Sequence, residues 1–340
     1  MNVQPITDQE FTIRPPTHAD LPGIVAMLGA AATATYGQPE FTVESYSAEW
    51  ETPGFEPSRD SRVAVTATGQ IVAGADLISP PPHVRNSLYV SVHSDYVGRG
   101  LGSYLTAWGE ACMRERLGEA PADARVSLLC NSISTHQTAF DLLRNHGYQR
   151  VRSFYNMKID LSSPPPAPRW PPDIHIHPLQ PGEEAALYAA DQDAFQDHWG
   201  HVATIAEANF AHWWQSLQRK PHYDPSLIFL AMAGAQLAGF VICFPQDDEF
   251  PDMAWIDRLG VRRPWRKQGI GLALLHHCFG ECYHRGIGKV GLGVNAASLT
   301  GVTRLYEKAG MAIFRQIDAY EKELRPGRDL TTQEVEEHKM

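Results

Sequence analysis

Cysteine is scarce in this chain: five in 340 residues (Cys112, Cys130, Cys243, Cys278, Cys282), with no Cys-x-x-Cys pair. An odd count without paired spacing indicates neither a disulfide framework nor a zinc site. The thiols are read as buried side chains in a reducing cytosol, and no metal is expected. Also missing is any apolar run approaching the length of a bilayer span, and Met1-Asn2-Val3-Gln4-Pro5 lacks the basic and apolar regions of a signal peptide. A cytoplasmic protein with no membrane partner is therefore expected. Basic charge is in deficit, with 29 Lys and Arg against 39 Asp and Glu and a formal net charge of −10. That argues against broad nucleic-acid binding, which needs a basic face to neutralise phosphates. Neither a Gly-x-Ser-x-Gly elbow nor a complete phosphate loop of the kinase or ATPase type occurs, so hydrolase and kinase chemistry drop out.

What is present is an ordinary globular composition, 43% hydrophobic and 20% charged, in a chain long enough for two domains. The halves repeat. Phe11-Thr12-Ile13-Arg14-Pro15 matches Ile174-His175-Ile176-His177-Pro178 at an offset of 163, and Gly69-Gln70-Ile71-Val72-Ala73-Gly74 matches Gly234-Ala235-Gln236-Leu237-Ala238-Gly239 at 165. Val92 and Gly100-Leu101-Gly102 match Val261 and Gly269-Ile270-Gly271 at 169; Asn131 matches Asn295 at 164, and Leu142 to Gly147 matches Leu305 to Gly310 at 163. A near-constant offset over several short matches reads as a tandem duplication. Between the copies, Ser162 to Pro172 is proline-rich and excludes helix or central strand. The expected organisation is a domain over 1–161, a stiff linker over 162–172, a second domain over 173–325 and a polar tail over 326–340.

Each copy alternates strands and helices. An amphipathic helix (Leu21 to Ala31; Glu183 to Phe195) precedes two strands meeting at a glycine turn, then a strand, a helix, a strand, a helix and a last strand (Val151 to Ile159; Phe314 to Glu323). The fold class is α/β (α+β), two domains each with a mixed sheet flanked by helices.

Val261 runs into Arg266-Lys267-Gln268-Gly269-Ile270-Gly271 and then the apolar helical run Leu272-Ala273-Leu274-Leu275. A strand entering a glycine turn at a helix N-terminus presents free backbone N–H groups to a pyrophosphate. Neither glycine loop carries the full Gly-x-Gly-x-x-Gly of a dinucleotide fold, and the glycines of Gly286-x-Gly288-x-x-Gly291 are read as turn and strand glycines. Arg266-x-x-Gly269-x-Gly271, followed by Asn295 and by Arg304-Leu305-Tyr306-Glu307-Lys308-Ala309-Gly310, resembles the acyl-coenzyme A motifs of the GNAT superfamily of N-acetyltransferases.

The resemblance implies two tandem GNAT domains with mostly antiparallel sheets, acetyl-CoA or another acyl-CoA as donor, and an amine of a small metabolite as acceptor. It implies that Tyr306 is the general acid, that a bulge near Leu259, Gly260 and Val261 frees a backbone N–H to polarise the thioester, and that Asn295 touches the cofactor arm. In the N-terminal copy the loop is Val97-Gly98-Arg99-Gly100-Leu101-Gly102, with Val97 where the motif has Arg or Gln and Leu143 where Tyr306 stands. That copy, with Val92 and Asn131, is expected to bind coenzyme A without turnover.

For the base, strand alternation places Trp255, Asp257 and Leu259 on one face, which makes Asp257 the candidate, with Asp197 or His198 next. Asp197-His198-Trp199 resembles a segment of mycothiol synthase-like tandem proteins and is the candidate acceptor contact. The acceptor stays open between a cysteinyl amine in a thiol-cofactor precursor and an antibiotic or its biosynthetic intermediate. A coenzyme A-binding scaffold or sensor without turnover is the alternative from another class. A monomer or homodimer is expected.

Overall fold

The computed structural model of the protein describes residues 10–37, 41–52, 54–196, 198–202, 206–247, 249–296 and 302–332. The first copy runs β1 (Phe11–Arg14), α1 (Leu21–Tyr36), α2 (Val43–Trp50), α3 (Pro57–Asp60), β2 (Ser61–Thr66), β3 (Ile71–Ile78), β4 (Arg85–Val92), α4 (Leu101–Glu115), β5 (Val126–Ile133), α5 (Gln137–Asn145) and β6 (Gln149–Asp160). The second runs β7 (Ile174–Pro178), α6 (Glu184–Phe195), α7 (Ala206–Arg219), β8 (Ile228–Ala233), β9 (Gln236–Phe244), β10 (Ala254–Val261), α8 (Ile270–His284), β11 (Lys289–Asn295), α9 (Val302–Lys308) and β12 (Ala312–Arg325).

The chain divides into two compact units, but they do not coincide with the two copies. One runs to Arg152 and takes in Ile317–Leu330; the other spans Ser153–Gln316 and takes in Thr331 and Thr332. The cause is an exchange of final strands. In unit 1 the sheet order is β1-β2-β3-β4-β5 followed by β12, whose Ile317 pairs antiparallel with Ile133 of β5. In unit 2 the order is β7-β8-β9-β10-β11 followed by β6, whose Phe154 pairs with Asn295. The last strand of each copy thus completes the other unit's sheet.

In each unit one pair of central strands is parallel, β4 with β5 and β10 with β11, and the other pairings are antiparallel. Strand β9 reads as a continuous apolar run because both its faces are covered. Val241 and Cys243 pack with Leu274, Cys278 and Phe279 of α8. Phe240 and Ile242 pack on the opposite side with Leu187, Ala190 and Ala194 of α6.

Residues 162–172 contain neither helix nor strand, and Trp170 packs against the core of unit 2. Beyond Arg325 the chain makes further contacts. Arg328 bridges Ala124 in unit 1, and Thr332 exchanges backbone hydrogen bonds with Gly200 and His201 in unit 2. Among the described residues no helix is long and apolar enough to cross a membrane.

Gly260 shows how tightly α6 sits on β10. A Cβ there would lie 2.5 Å from the Phe240 ring and 3.0 Å from Ala194 Cβ. Gly260→Ala is expected to lower unfolding stability by about 1–3 kcal/mol, the usual cost of overpacking. Urea unfolding checks this, and a loss below about 0.5 kcal/mol would contradict the packing role.

Candidate active site

The parallel pairing of β10 and β11 covers only Ala254↔Val290, Trp255↔Gly291 and Ile256↔Leu292. Beyond Ile256 the strands part. The antiparallel register of β10 with β9 breaks at the same place, passing from Ile256↔Cys243 to Arg258↔Ile242, so that Asp257 is the extra residue of a bulge. The bulge expected near Leu259, Gly260 and Val261 is therefore found at Asp257. Leu259, Gly260 and Val261 are in regular register with Val241, Phe240 and Gly239.

That regular register still arms the gap. Arg262 N–H donates to Ala238 O at 2.9 Å. Since bonded and non-bonded pairs alternate, Gly260 bonds to β9 while the backbone groups of Leu259 and Val261 point away from it, toward the parted strand. Gly260 itself serves close packing.

The bulge also undoes the alternation that puts Trp255, Asp257 and Leu259 on one face. Leu259 and Val261 pack on the α8 side, in the same cluster as Ile256. Asp257 turns to the α7 side, where Lys220 Nζ donates to Asp257 Oδ1 at 2.6 Å and Arg258 Nε lies 3.7 Å from Oδ2. Its side chain is 24% exposed.

Next to it is an aspartate that sequence reasoning missed. Asp191 of α6 is 2% exposed, and its Oδ1 has no hydrogen-bond partner; the nearest cation is Arg258 NH1 at 3.7 Å. Burial pushes its carboxyl above the usual range, against the pull of Arg258. The signal was an acidic residue on the buried Leu187, Ala190, Ala194 face of a helix. Arg262 Nε donates to Asp193 Oδ2 at 2.8 Å, so the α6 and β10 walls alternate in charge.

The loop after β10 is held by its own side chains. Arg266 Nε donates to Val261 O at 3.0 Å and its NH2 to Ala194 O at 3.1 Å, tying the loop to the strand and to α6. Gln268 Nε2 donates to Pro264 O at 3.1 Å. Lys267 and Gly269 both adopt positive φ, 62° and 88°. The matching Gly98 and Gly100 stand at 87° and 84°. A lysine held in this region is strained, as happens where loop shape serves a site.

Gly269 is the N-cap of α8 and no side chain caps the helix, so the first-turn N–H groups are presented by backbone alone. Gly271 has a steric task instead. A Cβ there would lie 3.2 Å from Leu305 Cδ2, and the same distance recurs between Gly102 and Leu142.

Leu305 seats α9 on the first turn of α8, which brings Tyr306 into the core of unit 2. Tyr306 is 7% exposed, and burial pushes its phenol well above the usual range. The equivalent Leu143 is buried as well. Asn295 ends β11 opposite Phe154, and Ile270 is buried behind the loop.

In unit 1, Arg99 pairs with Glu10 and lies over the Tyr96 ring, Val97 is exposed, Leu101 is buried and Asn131 is exposed opposite Ala319. Strand β4 parts from β5 after Ser87↔Leu129, and Val92 continues in register with Ala73. The β3–β4 register is unbroken, unlike that of β9 and β10. Of the candidate acceptor contacts, Asp197 lies outside the described residues. His198 meets the Phe195 ring at 4.5 Å, and Trp199 meets Phe154 at 6.2 Å.

An acyl-CoA needs a pyrophosphate cradle and a slot for its thioester arm. A Cβ at Gly269 or at Gly98 would meet no atom within 4 Å, so each loop fronts open space with an uncapped helix behind it. The β10–β11 gap supplies the slot, lined by the backbone of Leu259 and Val261. The residues present fit the ligand.

Residues 185–311 match the model of the Acetyltransferase (GNAT) family. A mycothiol acetyltransferase of Thermobispora bispora is 28% identical over 260 residues, 74% of this chain and 80% of that protein. Among solved structures, a tandem GNAT protein from the clavulanic acid biosynthesis pathway shares the fold at a TM-score of 0.70 and 15% identity, over 94% of this chain and 100% of that one. A GCN5-related N-acetyltransferase from Sphaerobacter thermophilus superposes with a TM-score of 0.80 at 34% identity, covering 95% of this chain and 98% of its own. At that identity and coverage the chain belongs to the GCN5-related N-acetyltransferase family and is an acyl-CoA-dependent N-acetyltransferase.

Proposed function

We propose that the protein transfers an acetyl group from acetyl-CoA to an amine of a small metabolite, with the chemistry in unit 2 and a binding role for the loop of unit 1. The observation that carries this reading is the asymmetry of the copies. Unit 2 has the register break at Asp257 and the buried phenol of Tyr306, whereas unit 1 has an unbroken β3–β4 register and Leu143.

Bound acyl-CoA supplies an activated thioester carbonyl and a thiolate leaving group. The N–H groups of Leu259 and Val261 are positioned to polarise that carbonyl. The Tyr306 phenol, kept protonated by burial, is suited to giving its proton to the departing sulfur. Asp257 is proposed to take the amine's proton. Lys220 now places an ammonium against this carboxylate, and a substrate ammonium would compete for the same place. Gly269 to Gly271, with Lys267 and Gln268, would hold the pyrophosphate, Asn295 the arm, and His198, Trp199 and Asp197 the acceptor.

The similarity to mycothiol acetyltransferases favours a cysteinyl amine of a thiol-cofactor precursor as acceptor; an antibiotic intermediate is the second candidate. A cytoplasmic monomer or homodimer suits either. Release of free thiol from acetyl-CoA across a panel of amines tests the reading, and no amine-dependent release would favour a coenzyme A-binding scaffold instead.

Two cradles imply two ligands. Native mass spectrometry is expected to show two acyl-CoA molecules per chain, one retained through desalting and one exchanging. A single adduct under saturating ligand would remove the site in unit 1.

A further inference from the structure

Cys243 near the end of β9 and Cys278 and Cys282, one turn apart on α8, bring their three sulfur atoms within 4.8 Å of one another. All are shut off from solvent, at 1%, 0% and 0% exposure. The acyl loop is at the other end of α8, and Cys278 lies about 10 Å along the axis from Gly271 by helical rise. The surroundings are apolar, including Val241, Ile256, Leu274 and Phe279. Nothing in the repeated fold requires the cluster. By the strand register that relates the copies, the first copy has Leu77 in place of Cys243, with Gly109 and Met113 in place of Cys278 and Cys282, and Leu88 crowds over Gly109.

We propose that Cys243, Cys278 and Cys282 form a three-sulfur site for a soft monovalent cation, copper(I). Thiolate sulfur selects copper(I) or zinc among the common metals. Zinc takes four ligands, or three and a water. Among the described residues the cluster offers three sulfurs alone, enclosed by hydrocarbon, and three-coordinate copper(I) needs no more. Metal–thiolate bonds of about 2.3 Å put trigonal sulfurs about 4 Å apart, so closing from the present separation takes less than about 1 Å.

Charge also fits a monovalent ion. Copper(I) with two thiolates and one thiol leaves a single net negative charge, and two protons pass to solvent with no electron transferred. Entry needs only the last turn of α8 to open, since Cys282 lies two residues from its end at His284.

The test is anaerobic titration of the full-length protein with copper(I) presented as its bathocuproine disulfonate complex. One equivalent should transfer, with a near-ultraviolet sulfur-to-copper charge-transfer band and an all-sulfur shell at about 2.3 Å by X-ray absorption. Cys243→Ala and Cys278→Ala should each lose that equivalent, with circular dichroism and acyl-CoA binding reporting their fold. The double variant Cys112→Ala, Cys130→Ala leaves the cluster intact and should keep the equivalent, so the assignment does not depend on core variants folding. The proposal is overturned if that double variant takes up no copper(I), if its copper shell contains nitrogen or oxygen, or if equimolar zinc(II) displaces the copper.

Discussion

Tyr306→Phe is expected to lower kcat by about 10²- to 10⁴-fold, the range for loss of a general acid, while acyl-CoA affinity stays near wild type. The substitution removes one hydroxyl from a buried ring and changes its volume little. The phenol is raised by burial, and the direction matters. A raised value favours the protonated form, so the acid stays loaded through neutral pH and beyond the ordinary phenol range near about 10. Wild-type kcat should therefore show no alkaline loss from Tyr306 until above that range. A fall in kcat centred well below it, absent from Tyr306→Phe, would mean that the phenol ionises more readily than its burial allows.

Asp257→Asn should reduce the rate at neutral pH by a similar order, about 10²-fold or more, because it keeps shape and some hydrogen bonding but removes the proton acceptor. Part of the rate should return at high pH, where more of the amine arrives already neutral. Lys220 gives this prediction a second arm. Its ammonium sits 2.6 Å from the carboxylate, so Lys220→Met should alter the amine's KM more than the KM for acyl-CoA. A wild-type rate and pH profile in Asp257→Asn would move the base elsewhere, and Asp191, buried beside Arg258 with an unpaired oxygen, is then the nearest carboxylate to test.

The parts of this account that were legible in the sequence are those governed by local chemistry. Gly98, Gly100 and Gly269 mark backbone at positive φ, which glycine occupies readily, and such positions survive in a single chain as a readable pattern. The duplication was legible because each copy repeats these local demands at nearly constant spacing. The bulge was not. One extra residue in a strand changes neither composition nor apolar content, yet it moved Asp257 and Leu259 to opposite sides of the sheet.

The strand exchange was equally hidden, since β6 and β12 close equivalent edges, beside β11 and β5, and nothing within either strand names the sheet that receives it. Asp191 was marked only by its place on the apolar face of α6, and Lys220 reaches Asp257 through the packing that follows α7, which no spacing within the sequence encodes. Cys278-x-x-x-Cys282 was visible on its helix, but only the sheet brings Cys243 to it.

A matched pair of loop variants separates chemistry in unit 2 from chemistry in unit 1. Gly100 and Gly269 are the N-caps of α4 and α8, at φ of 84° and 88°, so valine at either position imposes comparable backbone strain at the head of its helix. Steady-state thiol release should be compared for Gly100→Val and Gly269→Val once both are shown to be folded. Gly269→Val is expected to lose at least about tenfold in kcat/KM for acyl-CoA, equivalent to about 1.4 kcal/mol of transition-state stabilisation, while Gly100→Val stays near wild type. Loss of activity in Gly100→Val with retention in Gly269→Val would contradict chemistry in unit 2 and place the reaction in unit 1.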